Sequence, residues 1–88
     1  MKFLVICRPR EDVKMDRFAA LLSDEVEALR QLKARGVIRE AWSPGRPGAI
    51  LIVEANSESE VEGVVNRLPL ATAGLIDIEL SPLLELGI

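Results

Sequence analysis

Two stretches of the chain, "KFLVICR" near the start and "AILIVEA" past the middle, are apolar at odd and even positions alike. Side chains of a strand alternate between the two faces of a sheet, so such runs suit strands covered on both sides. Each therefore asks for an interior place in a sheet, with an apolar layer above and below. The other two strand candidates differ. "VIREAW" is more polar and reads as an edge, while "LIDIEL" alternates, with Ile76, Ile78 and Leu80 on one side and Asp77 and Glu79 on the other.

Helices fall between them. After the loop "PREDVKM", with Asp12 or Asp16 available as a cap, a helix runs to about Arg35 and stops at Gly36. "SPGRPG" is a turn, since two prolines and two glycines break any regular element. "NSESEVEGVVNRL" opens with Ser57 and Glu60 in capping-box spacing and carries the stripe Val61, Val64, Val65 and Leu68, and Pro69 ends it.

The order is β-α-β-β-α-β, so the expected class is α+β: a ferredoxin-like, four-stranded antiparallel sheet with two helices on one face. That topology puts the first and third strands in the centre, and these are the two doubly apolar runs. The helices cover one face only, and a second subunit's sheet is the simplest cover for the other. Eighty-eight residues make a single domain, 1–88, with a marginal core if alone. Residues of hydrophobic type make up 49% of it, with few aromatics, which is more aliphatic surface than a small monomer easily hides. The closing "SPLLELGI" reads as an apolar tail with no place inside one subunit.

Other partners are disfavoured. The net charge is −3 with acids and bases interspersed, so no basic patch points to nucleic acid or an anionic membrane. "MKFLVIC" is too short for a membrane span or a signal peptide, and the protein is expected in the cytoplasm. Histidine is absent, which removes the commonest general base and metal ligand. Cys7 is the only cysteine and reads as a small core residue, with no disulfide or Cys-rich metal site open to it.

One residue of the first helix is out of place. In "FAALLSDEVEALRQL", Phe18, Leu22, Leu29 and Leu32 form the apolar face, and Glu25 falls near its middle, while Asp24 and Glu27 point away. A carboxyl buried there loses hydration, and its proton is held more tightly unless a cation compensates. Such a group suits proton transfer. A structural ion pair or a subunit contact would place an acid there equally well. Arg8, Arg39 and Arg46 are the available anion partners, each able to hold a carboxylate bidentately or to lie on the surface. Trp42 could wall a pocket or serve a core or interface. The turn "SPGRPG" lacks phosphate-loop spacing, and Ser23, Ser43 and Ser57 have no base beside them.

From Glu25 onward, "LKARG", the tryptophan of "REAW", "GRPGAILIVEANSESEV", "LPL" and "IDIELSPL" form a series that resembles the muconolactone δ-isomerase family. The resemblance implies a ferredoxin-like subunit that pairs face to face as a dimeric α/β barrel, or builds larger rings. It also implies an isomerase of unsaturated lactones working without metal or organic cofactor. Glu25 matches the family's acidic position, Trp42 its tryptophan, and Gly45 and Arg46 its Gly-Arg pair. Three departures imply a different, bulkier or less acidic substrate. Ser43 replaces a basic residue, "ATAGL" replaces an aromatic-proline segment, and the second strand lacks a histidine.

The expected function is therefore a cofactor-independent isomerase, cyclase or lyase that moves a proton on a small lactone, acid or similar carbonyl compound. Glu25 would be catalytic, with Arg46, Arg39, Trp42 and Arg8 at the substrate. A non-catalytic small-ligand or assembly module is the second reading. A cofactor-free oxygenase is the third, weakened by the absence of His and Tyr.

Overall fold

The two doubly apolar runs form β1 (Lys2–Pro9) and β3 (Ala49–Glu54), which lie side by side in the middle of the sheet. The computed structural model describes residues 1–88. The strand order is β2-β3-β1-β4, with β2 (Ile38–Trp42) and β4 (Ile76–Leu83) at the edges and every pairing antiparallel. Together with α1 (Met15–Ala34) and α2 (Glu58–Val65), this is the α+β ferredoxin-like arrangement.

Strand register separates the two faces of the sheet. Phe3 pairs with Val53, Val5 with Leu51 and Cys7 with Ala49. These side chains join Phe18 of α1 and Val61 and Val65 of α2 in one core. The alternate set, Leu4 opposite Ile52 and Ile6 opposite Ile50, points away from that core. Trp42 pairs with Ile50 from the other side and so shares this second face, 62% exposed. No helix lies over it.

Local chemistry accounts for the element ends. Gly36 has φ +78°, a left-handed turn that a side chain would strain, and stops α1 after Arg35. Ser57 Oγ accepts from the Glu60 N–H at 3.1 Å and caps α2. At the start of α1, neither expected aspartate is the cap. Lys14 stands there without a side-chain bond, and Asp16 lies within the first turn, accepting from the Arg17 N–H.

Two further differences matter. α2 ends at Val65, so Leu68 lies beyond it and Pro69 is not its stop: Pro69 instead opens a one-turn helix, α3 (Pro69–Thr72), where its missing N–H costs nothing. The last strand also continues to Leu83, paired with Lys2, so Ser81, Pro82 and Leu83 belong to the sheet. Only residues 84–88 follow it, with Leu84, Leu86 and Ile88 exposed. No helix is long and apolar enough to cross a membrane.

The second sheet face makes a direct expectation about assembly. Leu4, Ile6, Ile50 and Ile52 are partly exposed on this face and Trp42 is exposed, so packing it against another sheet would remove a contiguous apolar surface from water. At micromolar concentration the protein should sediment as a dimer or larger species, and Ile6→Glu should shift it towards the 9.7 kDa subunit. A wild-type chain that sediments as a clean monomer would overturn this expectation.

Candidate active site

Glu25 is the one buried charged side chain of the fold, with 6% of its surface exposed. The turn geometry of α1 sets it on the same side as Phe18 and Leu29, facing the sheet. Its Oε1 accepts a hydrogen bond from the backbone N–H of Leu70 at 3.0 Å. That N–H is free to donate because Leu70 occupies the first turn of α3, where no earlier helical carbonyl is available. The second oxygen, Oε2, has no protein partner and is not sealed from the space in front of it.

That space is a cavity of about 400 Å³. Met15, Phe18, Ala19, Leu22, Val26 and Leu29 of α1 line one wall, and Cys7, Ala49 and Ile76 of the sheet line the other. Leu70 closes one part, and Pro47 and Gly48 border another. Glu25 is the only charged residue in the lining. Met15, Leu22 and Val26, at 50%, 42% and 45% exposure, form an open apolar rim.

Gly48 is required where it stands. It has φ +131°, and a Cβ there would lie 2.6 Å from the Cys7 carbonyl oxygen. Only glycine lets the turn between β2 and β3 pass this close to β1 and carry Pro47 to the cavity.

The electrostatics follow from burial. Loss of hydration raises the Glu25 carboxyl above its ordinary value of 4.5, and the Leu70 N–H, which favours the anion, opposes the rise. The Cys7 thiol is pushed up to about 11, chiefly by burial and then by the negative charge of Glu25. At neutral pH the thiol therefore stays protonated.

The other expected site residues lie elsewhere in the subunit. Arg8 follows Cys7 in β1, so it points to the opposite face, where its Nη1 meets Glu79 Oε1 at 3.1 Å. Trp42 is on that same face, and its Nε1 donates to Glu40 Oε1 at 3.0 Å. Arg39 sits at the irregularity in β2 between Ile38 and Glu40, and its carbonyl accepts from Lys33 Nζ. Arg46 is exposed in the turn, one residue before the cavity-lining Pro47. None of the four lines the cavity of a single chain. Two participants escape a reading of the sequence alone: Cys7 as a wall residue and Leu70 as a backbone donor. The parity of Cys7 with Phe3 and Val5, and a proline able to open a helix just before Leu70, are the signs that point to them.

A family model described as muconolactone delta-isomerase matches residues 1–86. The chain belongs to the muconolactone delta-isomerase family. Among solved structures, a crystal structure of muconolactone isomerase is similar with a TM-score of 0.76 at 23% identity. The match covers 99% of this chain and 92% of that one, and it shows the shared fold. A second similar structure is the 5-chloro-2-hydroxyhydroquinone dehydrochlorinase of Burkholderia phenoliruptrix AC1100, in complex with 2,5-dihydroxybenzoquinone. Its TM-score is 0.65 at 29% identity, over 94% of this family member and 93% of the dehydrochlorinase chain. No curated protein matches the sequence.

The Glu25 environment sets the sign of a pH effect. Below about 4.5 the carboxyl is protonated in the folded and unfolded chain alike, so it costs nothing. Above that value the unfolded chain releases the proton while the fold resists, and stability falls until the raised native value is passed. Urea midpoints measured across this window should fall for the wild type relative to Glu25→Gln, which has no proton to lose. Parallel curves would mean that the carboxyl ionises in the fold as easily as in solution.

Proposed function

We propose that this family member is a cofactor-independent proton-transfer enzyme, an isomerase or related cyclase or lyase. Its substrate would be a small unsaturated lactone, acid or similar carbonyl compound. The observation that carries the reading is the carboxyl of Glu25, with one oxygen anchored by the Leu70 N–H and the other opening into an apolar cavity.

The chemistry needs little more. In its ionised form Glu25 takes a proton from a carbon beside a carbonyl or along a conjugated system, and the electron pair left behind moves into the π-system. The same carboxylic acid returns the proton at another carbon, which completes an isomerisation with no net loss of atoms. If a leaving group departs instead, the outcome is elimination. The Leu70 N–H stabilises the carboxylate form of Glu25 before the proton is taken and after it is returned, and the apolar walls keep water from competing for the proton.

The relatives support this class of reaction. One is named as an isomerase and the other as a dehydrochlorinase, and both isomerisation and loss of HCl can begin with a proton leaving carbon. Arg46, beside Pro47, is the proposed contact for a polar substrate group at the mouth of the cavity. Arg39, Trp42 and Arg8 would meet a substrate only through a second copy of the chain.

Glu25→Gln preserves shape and an oxygen for the Leu70 N–H while removing the proton. The variant should fold normally and lose about 10²–10⁴-fold in the rate of proton exchange or isomerisation of unsaturated lactones followed by NMR, the usual share of a general acid or base. Full activity in a folded Glu25→Gln protein would overturn the proposal and favour a ligand-binding module.

A further inference from the structure

The floor of the cavity is built from short side chains. On the helix-facing side of β1 and β3 the opposed pairs run Phe3 with Val53, Val5 with Leu51, and then Cys7 with Ala49. The first two pairs seal the core, and the cavity begins at the third, where the side chains shrink. Cys7 lies on a central strand between β3 and β4, with the lining residues of α1 across the cavity from it. A second copy on the far face of the sheet, or a chain segment across the exposed rim, would alter the mouth but not the side chain that forms this floor.

We infer that Cys7 fixes specificity at the reacting carbon: its short side chain sets how much bulk a ligand can carry beside the atom that faces Glu25. The assignment rests on reading Glu25 as the proton carrier. Glu25 Oε2, without a partner in the chain, opens into the cavity from the wall opposite Cys7. The two groups are near enough for the carboxylate's charge to add to burial in holding the thiol's proton. A carbon that gives its proton to Oε2 therefore has its ring neighbours over Cys7. The backbone beneath cannot retreat, since even a Cβ on Gly48 would lie 2.6 Å from the Cys7 carbonyl oxygen. A longer side chain at position 7 extends into the space in front of Glu25. One methylene more or less in an apolar pocket changes relative rates by about 10–200-fold.

Two lactones test this on the full chain, a γ-carboxymethyl butenolide and its ring-methyl homologue, with isomerisation or deuterium uptake followed by NMR. The readout is the ratio of their kcat/KM values. Cys7→Val should shift that ratio at least about tenfold against the methylated lactone, and Cys7→Ala should not shift it that way. A folded Cys7→Val protein with the wild-type ratio overturns the inference. Methyl methanethiosulfonate supplies a second form that does not depend on the variant folding, because it enlarges the Cys7 side chain after the chain has folded. The capped protein should show the same shift and lose it when the cap is reduced away, and an unshifted ratio overturns the inference. Capping at pH 9 should itself be slowed by either lactone and be faster in Glu25→Gln, where the neighbouring charge is gone. Capping that neither lactone slows at millimolar concentration overturns the inference as well. Glu25→Gln separates this claim from the one beneath it. Full activity in that variant, or lactones that protect Cys7 without turning over, sinks the proton carrier. The floor residue then stands on the protecting concentrations, which should favour the smaller lactone at least about tenfold more in Cys7→Val, read by ligand-observed NMR, than in the wild type.

Discussion

The hydrogen bond from the Leu70 N–H to Glu25 Oε1 is the contact on which the site depends. It joins residues 45 positions apart and holds the middle of the long helix α1 to the first turn of α3. A carboxylate in an apolar setting is costly, and a charge-assisted bond to a backbone donor recovers about 1.5–3 kcal/mol of that cost. The donor is a peptide group, so no side-chain substitution short of proline removes it. What stays unpaired is the second oxygen, which gives the cavity its only ionisable edge besides the thiol.

Strand parity gives the fold two unlike faces. On the helix side, Phe3, Val5, Leu51 and Val53 sit in a sealed core, and the cavity opens only where the lining passes from them to Cys7 and Ala49 at one end of the sheet. On the other side, Leu4, Ile6, Ile50 and Ile52 form a continuous aliphatic surface without a cover from the same chain. The chemistry and the surface for association are thereby separated by the thickness of one sheet. A change on one face need not disturb the other.

Much of this is legible in the sequence, and the limits have physical causes. The centrality of β1 and β3 follows from apolarity at both parities, and the buried position of Glu25 follows from helical periodicity, because both depend on local repeats. α3 is hidden because a proline after a helix reads equally as a stop or as the start of the next turn, and only tertiary packing decides. Arg8 and Trp42 are placed by strand parity and register. Parity alone shows that if Cys7 faces the helices Arg8 does not, whereas the face taken by Trp42 depends on the irregularity at Arg39, which no pattern in "VIREAW" announces. The extension of β4 through a proline is tolerated because it is an edge strand.

The close passage of Gly48 over the Cys7 carbonyl has a consequence for how such a cavity can diversify. This wall is set by backbone against backbone, so almost any replacement there would have to move a central strand. The facing wall is built from the half-exposed side chains of Met15, Leu22 and Val26, which touch solvent on one side. Substitutions at such positions usually change stability by no more than about 0.5 kcal/mol. Selection for new ligands would therefore leave its record along one edge of α1, with the turn opposite serving as a fixed die against which the variable wall is cut.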